Sequence, residues 1–242
     1  MSRDMRRRLS ALALIAAALP TSLAGCRYDD PVLVAFVAAD AEDTHAQPAD
    51  IEAFEQRVGQ RCDGCAVEVY DASGDADTQA RLVDQALAAG AAVLVLEPVD
   101  VEAAEELTTR AGEVPVVAFG ELVPGADRFV GLDSAPPDGS SDTDAGDDVE
   151  AARDVVSGKS RSMVFVPARA MSEQAADVAV GLASQTPVDG ATEHEGVPAW
   201  LFESEVVTRD ELAEVLVKEG VVDLDALCSG ETARRCADLG LR

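Results

Sequence analysis

The sequence predicts an α/β fold in which a parallel sheet is flanked by helices. Two observations carry this expectation. From Val32 onward, short β-branched runs alternate with amphipathic stretches, the pattern of parallel strands joined by crossover helices. The amphipathic stretches also stop and start at residues that cap helices.

In chain order, the first strand is expected over Val32 to Ala38, followed by a helix from Pro48 to Arg61 after Gln47. A second strand, Ala66 to Tyr70, precedes a helix over Asp77 to Ala89. Gln79, Leu82, Val83, Ala86 and Leu87 fall at helical spacing in that helix, and Gly90 ends it. The third strand is Ala92 to Leu96, and Asp100 caps a helix that runs to Ala111 before Gly112. Val114 to Phe119 and Arg128 to Leu132 complete the layer. Ser134 to Asp148 then breaks the pattern with Pro136-Pro137, two glycines, three serines and five aspartates. It has no apolar face to bury, which is the composition of an acidic disordered linker.

Beyond the linker come a helix at Val149 to Val156, a strand at Ser162 to Val166 and a long helix at Arg169 to Ser184. A polar loop leads to a strand near Ala199 to Val207. Thr208 and Glu211 have capping-box spacing ahead of Leu212, Val215 and Leu216. Two main strands are too few for an independent α/β domain, so this half is expected to lean on the first.

The amino-terminal 25 residues are set apart from the fold. Arg3, Arg6, Arg7 and Arg8 precede the apolar run Leu9 to Leu19, and small residues end in Leu23-Ala24-Gly25-Cys26. This is the layout of an export signal, with an apolar run too short to span a bilayer. A cysteine directly after Leu-Ala-Gly matches the box at which a lipoprotein is acylated and cut, so residues 1–25 read as a lipoprotein signal peptide and Cys26 as the lipidated residue. Cysteine parity agrees. With Cys26 acylated, the remaining four of five cysteines fall into two local pairs, Cys62 with Cys65 and Cys228 with Cys236. Outside the cytosol these are expected to be disulfides, contributing about 2 to 3 kcal/mol each.

The formal net charge of −27 repels nucleic acid phosphates and anionic headgroups, which argues against a nucleic-acid partner. The membrane connection expected is therefore through the lipid anchor alone, on the extracytoplasmic face of the envelope.

Particular wording adds a resemblance. Ala-Leu-Ala-Ala-Gly-Ala-Ala-Val-Leu-Val-Leu-Glu-Pro-Val-Asp, ending at Asp100, and Val-Pro-Val-Val-Ala-Phe-Gly-Glu onward to Gly131-Leu132-Asp133 resemble the first lobe of ribose- and xylose-type periplasmic binding proteins. Ala53-Phe54 through Cys62-Asp63-Gly64-Cys65-Ala66-Val67 is similar to cysteine-containing members of that family. So are Met163-Val164-Phe165 with Arg169-Ala170, Val206-Val207-Thr208-Arg209-Asp210, and Leu227-Cys228-Ser229-Gly230-Glu231 with Cys236. The resemblance implies a type I periplasmic-binding fold, whose two α/β lobes, joined by a three-stranded hinge, close on a sugar and hand it to an ABC permease. It further implies that residues 26–133 form the first sugar-binding-like lobe. Residues 134–148 are then the linker, and 149–242 a truncated second lobe with the hinge-side carboxyl-terminal segment.

Ligands of an open parallel sheet sit beyond the carboxyl ends of its strands, here Ala39 to Gln47, Asp71 to Gly74, Glu97 to Asp100 and Gly120-Glu121. Family members carry Asp-Arg after the fourth strand, where this chain has Gly120-Glu121. After the first strand it has His45 and Gln47 in place of an arginine and an aromatic. The expected ligand-binding set is Asp40, His45, Gln47, Gly120 and Glu121, taking a small sugar or polyol. An accessory or protein-interaction lipoprotein that no longer binds sugar is the alternative, motivated by the missing lobe and the replaced Asp-Arg. Trp200, the sole tryptophan, reads as packing rather than as a sugar platform.

Other motifs carry no chemistry. Cys62-Asp63-Gly64-Cys65 has redox spacing, but it ends a helix, where the dipole raises a thiol pKa. Gly158-Lys159-Ser160 lacks the earlier glycine of a phosphate loop, since Arg153 stands there. The aspartates near 142–148 place no glycine at the sixth position of a calcium loop, and Arg153 occupies the twelfth. Glu193-His194-Glu195 reads as an exposed loop. With no nucleophile, base and oxyanion arrangement in view, neither an enzyme nor a metal or cofactor is expected.

Overall fold

In the computed structural model of the chain, which describes residues 31–40, 50–134, 148–217, 222 and 224–241, three aspartates set the start of the first three helices. Asp50 accepts from Ala53 N at 2.8 Å and caps α1 (Ile51–Arg61). Asp75 does the same for α2 (Ala76–Ala88) through Thr78 N, and Asp100 for α3 (Val101–Ala111) through Ala103 N. Each carboxylate satisfies an otherwise unpaired amide of the first turn and lies at the positive end of the helix dipole.

These helices connect parallel strands β1 (Val32–Ala38), β2 (Cys65–Asp71), β3 (Val93–Leu96) and β4 (Val116–Gly120), and a loop leads from β4 to the parallel β5 (Arg128–Leu132). From residue 148 onward the elements are α4 (Asp148–Ser157), β6 (Ser162–Phe165), α5 (Ala168–Ala183), β7 (Thr192–His194), β8 (Val197–Phe202) and β9 (Glu205–Thr208). A π-helical turn (Ala213–Val217), α6 (Leu224–Leu227) and α7 (Ala233–Asp238) follow. The expected α/β class holds, with a mostly parallel seven-stranded sheet in the order β2-β1-β3-β4-β5-β8-β7.

The expected single strand near Ala199 to Val207 is two strands in two different sheets. β8 joins the large sheet parallel to β5, whereas β9 pairs antiparallel with β6 in a separate two-stranded sheet. Glu203-Ser204 is the break, too short an interruption to separate two strands on sequence pattern alone. The polar loop before it contains β7, which forms a hairpin with β8. Glu195 and Gly196 turn that hairpin with φ of 50° and 85°, the pair of positive φ values that a two-residue type I′ turn requires.

The sheet is walled on both faces. Ala35 and Val37 of β1, Leu94 and Leu96 of β3, and Ala118 of β4 pack against Val83, Ala86, Ala104 and Leu107 of α2 and α3. The alternate residues Val34, Phe36, Val93, Val95, Val117 and Phe119 pack against Phe54 and Val58 of α1 and Met171, Ala175 and Ala179 of α5. Phe36 meets Phe54 edge-on at 5.0 Å between centroids and Phe119 at 5.7 Å, geometry that favours aromatic pairs. Arg57 holds Asp177 with two hydrogen bonds, at 2.9 and 2.6 Å, and Arg61 adds a third contact at 3.0 Å. This seam joins α1 to a helix far along the chain.

A separate apolar cluster is built from Ala152 and Val155 of α4, Met163 and Phe165 of β6, Val207 of β9, Leu212, Leu216 and Leu227. Cys228 and Cys236 lie in it with sulfurs 2.13 Å apart. Arg209 donates to Val155 O at 3.0 Å and Arg153 to Ala226 O at 2.8 Å, which fastens the segments together. The other cysteine pair, Cys62 and Cys65, has sulfurs 2.03 Å apart and closes the turn from α1 into β2.

Phe36 is fully buried at the centre of the aromatic group. Phe36→Ala is expected to lower unfolding stability by about 3 to 5 kcal/mol, read as an earlier midpoint in urea denaturation.

Candidate functional site

In the strand order β2-β1-β3, β1 is flanked by the strands that follow α1 and α2 on opposite sides. The chain therefore reverses direction across the sheet between β1 and β3, and a crevice opens beyond the carboxyl ends of these strands at such a switch point. Asp40 lies just past β1, Asp71 ends β2 and Glu97 follows β3. The loops after β1 and β2 are close. Gly74 N donates to Ala39 O at 2.8 Å, and a Cβ on Gly74 would stand 3.8 Å from Asp40 Oδ2.

Glu97 bridges the switch. Its Oε2 accepts from Ala39 N at 3.1 Å, joining the end of β3 to the end of β1. Its backbone is held by Gln79, which is 1% exposed on the inner face of α2. Gln79 Nε2 donates to Glu97 O at 2.7 Å, and Gln79 Oε1 accepts from Val99 N at 3.1 Å. Both arms of the amide are thereby used to fix the β3–α3 loop. Glu97 is 8% exposed. Burial pushes its carboxyl up to about 7, Asp40 and Asp71 add repulsion, and the Ala39 amide opposes both.

Of the expected ligand-binding residues, the structure sets Asp40 with Asp71 and Glu97 at the switch. Gly120 and Glu121 stand at the end of β4, two strands from β1, about 10 Å at ordinary strand spacing. Gly120 has φ of 78°, a conformation that disfavours side chains, and Glu121 N donates to Phe119 O at 2.9 Å. His45 and Gln47 lie outside the described residues, as does Cys26. Sequence reasoning missed Glu97 and Gln79. The available signal was Gln79 itself, a polar residue on the stripe that otherwise carries Val83 and Ala86 into the core.

Among the described residues, the loops following β1 to β5 carry Asp40, Asp50, Asp75, Glu97, Asp100, Glu121, Asp127 and Asp133, with Asp71 closing β2, and no basic or aromatic side chain. Carboxylates accept hydrogen bonds from hydroxyls, and donors at this edge are backbone amides and the hydroxyls of Ser73 and Ser134. Trp200 lies elsewhere. It is 7% exposed in β8, with Nε1 donating to Asp189 O at 2.9 Å, and its side chain belongs to the apolar cluster under α5. His194, expected in an exposed loop, is in β7 with its ring 5.6 Å from that of Phe129. No group of three or more histidine, cysteine or acidic side chains is arranged to hold a metal ion, and no helix is long and apolar enough to cross a membrane, among the described residues.

No protein-family model matches the chain, and no characterised protein sequence matches it. Solved structures do. The fold is that of solute-binding proteins of ABC transporters. One, from Clostridium phytofermentans with bound β-D-glucose, has a TM-score of 0.63 at 12% identity, covering 81% of this chain and 99% of its own. A carbohydrate transporter solute-binding protein from Chloroflexus aurantiacus in complex with D-glucose gives 0.61 at 14% identity, over 81% and 98%. One from Mycobacterium smegmatis with bound glycerol gives 0.56 at 14% identity, over 76% and 96%. At these identities the likeness is one of fold.

The raised pKa of Glu97 has a stability consequence. Between its ordinary value of 4.5 and about 7, the folded chain holds a proton that the unfolded chain has lost. Stability therefore falls as pH rises through that window, by on the order of 3 kcal/mol, and the loss is complete above it. Glu97→Gln keeps an acceptor for Ala39 N and removes the titration. Thermal melts of the variant are expected to exceed wild type above pH 7 and to converge with it below pH 4.5.

Proposed function

We propose that the chain is a lipid-anchored, extracytoplasmic solute-binding protein of the kind that serves an ABC permease, and that its ligand is a small sugar or polyol. The observation that carries this reading is the acceptor-rich set of strand ends around the β1–β3 switch, where open α/β sheets bind ligands, on a sheet whose fold is shared with proteins holding glucose and glycerol. Asp40 and Glu121 would accept from ligand hydroxyls, with His45 and Gln47 contributing from the loop after β1. Gly120 leaves room for close approach of the backbone. Glu97 and Gln79 would position that edge rather than touch the ligand. An anionic ligand is disfavoured by the carboxylates, so neutral polyols fit best.

In this reading Cys26 carries the diacylglycerol anchor and residues 1–25 are removed. Residues 26–133 supply most of the first lobe, which α5, β7 and β8 complete in the same sheet, 134–148 are the acidic linker, and the cluster around α4, β6, β9 and Cys228–Cys236 is the shortened counterpart of a second lobe. The anchor has its own test. Cys26→Ser is expected to move the protein from the membrane fraction to the soluble one, and a wild-type protein already soluble would remove the anchor from the proposal.

Calorimetric titration with pentoses, hexoses and myo-inositol should give saturable heat for at least one of them. Glu121→Ala is expected to weaken that binding by about tenfold. No heat from any of the panel at millimolar concentration would sink the sugar-binding reading. A membrane-retained protein without such heat is the accessory lipoprotein of the second reading. That reading is favoured by one observation, the lack of a cationic or aromatic side chain in the described loops after β1 to β5.

A further inference from the structure

At the opposite end of the large sheet, a groove of about 180 Å³ opens where β5 and β8 begin. Its walls include Val178 and Leu182 of α5, Pro187 and Val188 of the following loop, and Trp200. That loop is folded tightly onto the end of α5. Thr186 N donates to Gly181 O at 2.7 Å, and a Cβ on Gly181 would come within 2.5 Å of Val188 Cγ2. Because Asp189 O already accepts from the Trp200 indole, the ring's donor is satisfied and the ring itself serves as an apolar wall.

One charged side chain lines this groove, Arg128, the first residue of β5. Its Nη1 donates to Asp127 O at 2.6 Å. Among the described residues, no carboxylate forms an ion pair with it, although the chain's net charge is −27. A guanidinium has five donors in a planar fork that matches a carboxylate. An apolar cavity of about 150 Å³ is enough to hold benzene, so the groove has the size for one ring with a short substituent.

We propose that this groove is a second ligand site, separate from the crevice at the carboxyl ends of the strands, and that it takes a small monocarboxylate with a planar apolar body, its carboxylate on Arg128 and its ring against Trp200 and Val188.

Trp200 is the sole tryptophan, so its indole N–H gives one resonance that reports the site directly. Titration of the full chain with benzoate is expected to shift that resonance saturably in the millimolar range, with benzyl alcohol binding at least about tenfold more weakly. Arg128→Gln should lose benzoate affinity by a similar factor while keeping the wild-type thermal midpoint. If that variant fails to fold, Arg128→Lys, which keeps the charge but not the fork, should bind benzoate with intermediate affinity. The proposal is overturned by a titration with no saturable shift, by benzyl alcohol binding as tightly as benzoate, or by a folded Arg128 variant that binds as wild type does.

Discussion

The central strands are buried on both faces, and that constraint orders the rest of the molecule. A parallel sheet of this kind is stable only when helices cover both sides. α2 and α3 close one side from the segment immediately between strands. On the other side α1 alone leaves the surface of β3, β4 and β5 uncovered, so the chain must return with α5 to cover it. The Arg57–Asp177 pair and the Arg169–Asp50 contact at 3.5 Å mark that return. Having come back, the chain extends the sheet with β8 and β7 before leaving again through β9. The small β6–β9 sheet is therefore tied to the large one by the segments 166–167 and 203–204, where α5 is entered and β8 is left.

The same burial shapes the crevice edge. Leu96 is the last apolar residue of β3, and Glu97 follows before the chain can reach water. The carboxyl group is tolerable there because the Ala39 amide turns toward it and because burial, with added repulsion from Asp40 and Asp71, lets it hold a proton near neutrality. Gln79 solves the matching backbone problem. The β3–α3 loop crosses the rim of the sheet, and its carbonyl and amide at 97 and 99 would be buried without partners. The crevice edge is thus a set of polar groups held by the packing beneath them.

How much of this was legible in the sequence follows from how local each determinant is. The strands and helices of the first half were legible because β-branched runs, aspartate caps and terminal glycines act within a few residues. Gly90 and Gly112, read as helix ends, indeed have φ of 86° and 64°. The placement of Asp40 and Glu121 at strand ends follows from the same local pattern. What could not be read was pairing at long range. Nothing in Ala168–Ala183 says that the helix lies beside α1, and the apolar runs on either side of Glu203-Ser204-Glu205 read the same whether one strand or two result. β7 was hidden because Glu-Gly is a weaker hairpin signal than Asn-Gly or Asp-Gly. The environment of Glu97 was illegible for the same reason, since burial and the Asp40 and Asp71 repulsion come from strands that meet only in the folded sheet.

The two ends of the sheet also differ in charge in a way that sorts ligands. At the carboxyl ends the described ionisable side chains of the loops are all acidic, and an anion arriving there meets repulsion from several at once. At the amino ends of β5 and β8 the lining charge is Arg128, beside the apolar side chains of Val178, Leu182, Val188 and Trp200. A polyol gains nothing from Arg128 without enough hydroxyls within reach, and the apolar walls leave its remaining hydroxyls unpaired. A carboxylate with a ring suffers neither penalty in the groove and both repulsion and lost contacts in the crevice. The chemistry of the two ends is therefore complementary, and a single solute is not suited to both.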